Sequence, residues 1–231
     1  MEKHFEDLRM NQSLKDRVYD SLRAQIIKGI IEPGSRLPEE ELSKAMSISR
    51  APIREALNML ERDGFITIIP RKGAIVSSIN KKDVQDIWEM RRLLEPYAAS
   101  TSAHEIPENE IDKMIDILNK VLSEPDDFEA YMRSDLELHE LLYRYVNNKL
   151  LKDILMTIKA HSLRIRYFAE NNQHSRKEII FQVTEDHILI INALKSRDAK
   201  LIHQSVLNHV VKSQERSLKA LDRIIDTSET Q

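Results

Sequence analysis

The sequence predicts a mainly α protein: an N-terminal winged helix-turn-helix within residues 1–80, followed by a bundle of helices over residues 81–231. Three observations carry this. All four glycines, Gly29, Gly34, Gly64 and Gly73, precede residue 80, and none follows. Glycine serves tight turns and hairpins, so a long stretch without it reads as helices joined by Pro, Asn and Asp turns. Apolar residues recur at helical spacing along most of the chain. Residues 65–79 instead are rich in β-branched side chains and broken by Pro70-Arg71-Lys72-Gly73, which reads as a hairpin.

Taken in order, Leu14, Val18, Leu22 and Ile26 repeat every four residues and predict an amphipathic helix stopping at Gly29. Pro33-Gly34 makes a turn. A short helix over about 39–46 turns Leu42, Ala45 and Met46 inward, and Ser47-Ile48 is a tight turn. Ser49 caps a third helix, whose first turn tolerates Pro52 because that position has no helical acceptor for an N–H. Ile53, Ala56, Leu57 and Leu60 give it a buried stripe, and Asp63-Gly64 ends it. Phe65–Ile69 and Ala74–Ile79 are the two strands of the hairpin.

A polar stretch, Ser77 to Lys82, marks the boundary. Beyond it, six helices are expected at about 81–104, 107–124, 126–147, 149–171, 175–196 and 198–226. Pro107 and Pro125 fall at helix starts, where proline is tolerated, and Pro96 is expected to kink the first helix. Residues 1–13 and 227–231 read as frayed tails.

Composition narrows the classes. Hydrophobic residues at 41% and charged residues at 32% suit a folded, water-soluble chain. With no cysteine there is neither a disulfide framework nor a thiolate metal site, which suits a reducing cytoplasm. Met1 to Asp7 carries acids and no apolar core, so it does not read as a signal peptide, and Ile188–Ile191 is too short to span a membrane. The net charge of −3 argues against non-specific nucleic-acid binding. Arg36, Arg50, Arg54, Arg71 and Lys72 nevertheless cluster in one stretch, and a phosphate backbone feels local charge.

The third helix is where that charge becomes specific. With its apolar stripe buried, the opposite face presents Arg50, Arg54 and Asn58 in a line at spacings of four. Arginine can donate two bonds to guanine and asparagine can pair with adenine. At the hairpin tip, Arg71, Lys72 and Gly73 suit close approach to a DNA backbone or minor groove. The alternative is a solvated face in which Arg50 and Arg54 pair with Glu55 or Glu61.

The segments Gly29 to Leu37, Ser49-Arg50-Ala51-Pro52-Ile53-Arg54-Glu55-Ala56-Leu57 and Leu60 to Ile66 resemble the DNA-binding domain of the GntR family of bacterial regulators. The resemblance implies that Arg50 and Arg54 contact an operator, with Gly73 at the wing tip. Ala51 stands where relatives often carry threonine.

A second constellation lies in the helical part. Asp135 and His139, at i and i+4, share one helix face, and His187 and His209 lie on two further helices. Three imidazoles and a carboxylate suit a borderline divalent ion such as zinc, nickel, cobalt or manganese. Taken alone, a histidine on a helix is more often a surface or satisfied core residue.

Met90 to Ala99, Asp135-x-x-x-His139, Glu185-Asp186-His187, Ala193 to Ala199 and His209 together resemble the effector domain, FCD, of the FadR-like branch of the GntR family. The resemblance implies an all-helical antiparallel bundle with a central cavity. There Asp135, His139, His187 and His209 hold a metal and a small carboxylate effector completes its shell. Arg91 then either binds that carboxylate or pairs with Glu95 at i+4, and Arg164 and Arg166 could form a second clamp. The expectation is a cytoplasmic, homodimeric, metabolite-responsive regulator that binds an inverted-repeat operator and has no membrane partner and no enzymatic activity. The alternatives are a metal-dependent hydrolase fused to a DNA reader and a purely architectural DNA-binding dimer.

Overall fold

A computed structural model describes residues 13–171 and 176–229, and the chain separates into two compact units, up to Ile79 and from Asn80.

In the first unit, α1 (Leu14–Ile27), α2 (Glu39–Met46) and α3 (Arg50–Arg62) pack beside a three-stranded sheet. Its strands, β1 (Arg36–Leu37), β2 (Ile66–Ile69) and β3 (Gly73–Val76), lie in the order β1-β3-β2, all antiparallel. β1 is absent from the sequence expectation: two residues carry no periodicity, and only pairing with β3 makes them a strand. Val18, Leu22 and Ile26 of α1 meet Ile53, Ala56, Leu57 and Leu60 of α3, closed over by Phe65, Ile66 and Val76. Two expected core positions are outside this core. Leu14, the first residue of α1, is half exposed. Ala45 is exposed and no residue of α2 is buried; Leu42 and Met46 of this short helix are only half-buried. Ser49 holds the N-cap position of α3, but its side chain accepts no cap hydrogen bond.

In the second unit, the described residues form six α-helices: α4 (Lys81–Ser102), α5 (Glu108–Ser123), α6 (Phe128–Arg144), α7 (Lys149–Asn171), α8 (Arg176–Ser196) and α9 (Ala199–Glu229). A short 3₁₀ turn, Ala103–Glu105, joins α4 to α5. The boundary stretch is narrower than expected. Asn80 already caps α4 through a reciprocal pair in which its side chain accepts from the Asp83 N–H and Asp83 accepts from its own N–H. α4 continues through the buried Pro96 to Ser102. α4 packs along α9 and also against α6 and α7, while α8 packs against α5 and α9. The core is apolar, with Trp88, Ile111, Leu118, Leu138, Leu142, Ile190, Leu194, Ile202 and Val206 fully or almost fully buried. Inside it lies a band of charged and imidazole side chains. No described helix is long and apolar enough to cross a membrane. The expected C-terminal tail is shorter than the sequence suggested, because α9 runs to Glu229; residues 1–12 and 230–231 of the two tails lie outside the described residues.

Candidate metal centre and nucleic-acid interface

α6 carries Asp135 and His139 on its buried face, α8 carries His187 and α9 carries His209. The helical packing converges these three elements, so residues up to 74 positions apart meet. Each histidine offers a ring nitrogen such that all three lie within 4.8 Å of one another. The ring centroids are 4.7 Å apart for His187 and His209, 5.2 Å for His139 and His209, and 5.9 Å for His139 and His187. Asp135 stands beside this triad. Its Oδ1 is 3.6 Å from His187 Nε2 and 3.8 Å from His139 Nε2, while its Oδ2 accepts from Arg166 of α7.

Burial governs the electrostatics. Desolvation pushes all three imidazoles below their ordinary range, His187 to about 3 and His209 well down, so each is a neutral lone-pair donor. Burial opposes ionisation of Asp135, but Arg166 and the nearby imidazoles overcome it and hold the carboxyl low. All four ring nitrogens of His187 and His209 are buried and have no hydrogen-bond partner among the described residues. Buried polar atoms are nearly always partnered, by protein, water or an ion. One nitrogen from each of three buried imidazoles, close together and beside a carboxylate, is the chemistry of a divalent cation site, and the residue types fit.

Arg91 is wholly buried. It grips Glu95, with Nε to Oε1 at 2.6 Å and Nη2 to Oε2 at 3.3 Å, and its Nη2 also stands 3.3 and 3.5 Å from the two ring nitrogens of His139. Its Nη1 has no hydrogen-bond partner among the described residues. The i+4 pairing is therefore the geometry present. The two candidate clamp arginines diverge: Arg166 reaches Asp135, whereas Arg164 feels the charge of Asp83 on α4. Sequence reasoning missed Arg216, which lines a cavity of about 20 Å³ together with Asp135, His209, Arg166, Ser213 and Tyr131. Its only sequence signal is its position seven residues after His209, two turns along the same face. A cavity of that size holds roughly one water molecule.

In the first unit, Arg50, Arg54 and Asn58 lie on the exposed face of α3. The arginines are paired, but not with Glu55 or Glu61. Arg54 donates Nε and Nη2 to Glu39 at 3.0 and 2.8 Å, and Arg50 lies 3.1 Å from Glu40, both carboxylates belonging to α2. Glu55 instead meets Lys15, and Glu61 accepts from the Ile68 N–H. Arg71, Lys72 and Gly73 form the exposed turn between β2 and β3, and Arg36 is exposed on β1. Gly73 has φ +83°, and the space where a Cβ would stand is open, so the backbone can be approached closely.

The profile of the GntR family of bacterial regulatory proteins matches residues 14–76, and that of the FCD domain matches residues 86–212. The HTH-type transcriptional regulator YdhC of Bacillus subtilis (strain 168) is 30% identical over 196 residues, covering 83% of this chain and 85% of that protein. The HTH-type transcriptional repressor RspR of Escherichia coli (strain K12) is 27% identical over 205 residues, covering 88% of each. Among solved structures, E. coli McbR/YncC superposes with a TM-score of 0.76 at 19% identity, over 93% of this chain and 100% of that one.

Proposed function

The chain belongs to the GntR family of bacterial regulatory proteins, with an FCD domain, and is a metabolite-responsive DNA-binding transcription regulator; on that premise we propose that a divalent metal in the helical unit is its effector site and that a small carboxylate is its signal. The observation that carries this is the buried His139, His187 and His209 triad, with four ring nitrogens lacking a partner.

Charge balance favours an anion. Arg91 offsets Glu95, Arg166 offsets Asp135, and the three imidazoles are neutral. Adding a divalent cation leaves about two uncompensated positive charges in a buried site, and an isolated buried charge costs many kcal/mol. A carboxylate at the ion's open positions offsets part of that charge and lowers the penalty. The cavity beside His209 is too small for a carboxylate as it stands, so binding must displace a lining side chain. Ligand binding and rearrangement are thus coupled, which is what a sensor needs: the effector redistributes a population between DNA-competent and DNA-incompetent forms.

The DNA reading assigns base contacts to Arg50, Arg54 and Asn58 and backbone contacts to Arg36, Arg71, Lys72 and Gly73, with residues 1–80 as the reader and 81–231 as sensor and dimerisation unit. The protein acts as a cytoplasmic homodimer on an inverted repeat, because two half-sites on one duplex face call for a two-fold symmetric protein. The matched relatives are regulators, which gives the hydrolase alternative no support.

The test is a thermal-shift screen of small carboxylates with and without added divalent metals, since a ligand that binds only the folded state raises the melting temperature by mass action. The expected hit stabilises the protein only when metal is present. Carboxylates that stabilise equally in chelator would remove the metal from the reading.

A further inference from the structure

The metal reading leaves a buried carboxylate of α4 without a task. Glu95, on α4, is 4% exposed and contributes to neither the triad nor the cavity. Its Oε2 lies 3.2 Å from Nδ1 of His139, and both its oxygens are held by Arg91. Arg91 Nη2 is almost equidistant from the two ring nitrogens of His139, so the guanidinium does not choose between them. The carboxylate does. An ionised carboxylate only accepts hydrogen bonds, so contact with Nδ1 requires the hydrogen of a neutral imidazole to sit there. The lone pair then falls on Nε2, the nitrogen 3.8 Å from Asp135 Oδ1. His187 Nε2 lies 3.6 Å from that same oxygen, so both Nε2 atoms border one point.

We propose that Glu95 is the positioning residue of the metal centre. It fixes the tautomer and ring orientation of His139 so that Nε2 faces the ion, and Arg91 serves to hold Glu95 in place and does not contact the effector. This rests on the metal reading above. His187 and His209 have no such outer partner among the described residues. His139 is therefore the ligand oriented before the ion arrives, and the other two are ordered by it. Outer carboxylates of this kind change metal affinity by about 10–100-fold when removed.

The experiment uses the full chain loaded with Co²⁺, whose visible absorption reports ligand geometry, and chelator competition at one fixed pH to obtain affinity. Glu95→Gln keeps the shape but no longer demands a hydrogen on Nδ1. The expected result is affinity weakened by about 10–100-fold with one ion per chain retained and an altered Co²⁺ spectrum. Wild type that binds no Co²⁺ would overturn the metal reading and this inference together. Wild type that binds, with Glu95→Gln equal to it in affinity and spectrum, would overturn the inference alone. Glu95→Gln also leaves Arg91 without a counter-charge, so the double variant Arg91→Met/Glu95→Leu removes both charges; it should bind as weakly as Glu95→Gln. A merely structural role would lower the melting temperature of chelated protein while leaving the Co²⁺ affinity of the folded fraction unchanged. A measurement on chelated wild type needs no variant at Glu95: ¹⁵N spectra of the histidine rings, with the His139 signals assigned by their loss in His139→Gln, should show the Nδ1–H tautomer. The Nε2–H tautomer would overturn the proposal.

Discussion

Arg54 and Glu39 form a two-point ion pair on an exposed surface, where water and salt screen it and it contributes little to stability. In the proposed DNA reading, a guanine offering two acceptors in the major groove would replace Glu39 as the partner of Arg54. Arg54→Ala should cost roughly 1–3 kcal/mol of operator affinity at particular base pairs, whereas Lys72→Ala should weaken all sequences about equally and flatten the salt dependence. Binding measured on an operator and its single-base variants checks both; unchanged affinity and sequence preference in Arg54→Ala would remove α3 as the reader. The imidazoles carry a second prediction. In chelated protein, burial holds His187 near 3 against about 6.5 unfolded, so below pH 6.5 the unfolded chain takes up a proton that the folded one does not. Stability is then lost as pH falls, by up to about 1.4 kcal/mol per pH unit for each such histidine. Denaturant titrations at pH 7.5, 6.5 and 5.5 should show this slope, and His187→Phe should reduce it. A slope unchanged in the variant would mean that His187 is not held neutral. At this scale the sequence offered candidate ligand types and their order along the chain, and the fold brings the three histidines together. The sequence could not reveal that Asp135 is shared with Arg166 or that Glu95 reaches His139, because those contacts depend on how separate helices rotate about their axes.

α2 and α3 are joined through Ser47, which adopts φ 55° at the end of α2. A left-handed residue with a Cβ is strained by about 1–2 kcal/mol, and glycine is not. Ser47→Gly should therefore stabilise the first unit by about 0.5–1 kcal/mol after the extra freedom of glycine in the unfolded chain is subtracted, the reverse of the usual penalty for glycine. Gly73→Val at φ +83° should do the opposite, destabilising the hairpin by about 1–2 kcal/mol. Denaturant midpoints of the two variants check both signs; a destabilised Ser47→Gly would show that Ser47 is not strained. The elements themselves were largely legible. The heptad-like stripes of α1 and α3, the polar caps, and Pro107 at the start of α5 gave helix positions to within a few residues. What periodicity could not see were features decided by neighbours: β1, the exposure of Leu14 and Ala45, and Asn80 as the cap of α4.

At the scale of the whole molecule, each compact unit has its own apolar core, Val18, Leu22, Ile53 and Leu60 in the first, and Trp88, Leu138, Ile190 and Val206 in the second. The confinement of glycine to the first unit already made this division visible, since turns and hairpins need it and a helical bundle does not. Separate cores allow the reader to be tested apart from the sensor. A single reader of this size grips one half-site, mainly through phosphate contacts. In the proposed dimer, two readers joined through their second units would bind both half-sites, and the second contact would be intramolecular, which can raise affinity by about 10²–10⁴-fold. Full-length protein should therefore sediment as a dimer, protect two symmetric half-sites, and bind the operator about 10²–10⁴-fold more tightly than residues 1–79 alone. Its affinity should also fall more steeply with salt, because two readers release about twice as many counterions. The isolated reader should still prefer the same half-site sequence, since its base contacts are intact. Equal affinity and equal salt dependence for the full chain and the isolated reader, or a monomeric full chain that protects both half-sites, would show that the second unit does not pair the readers.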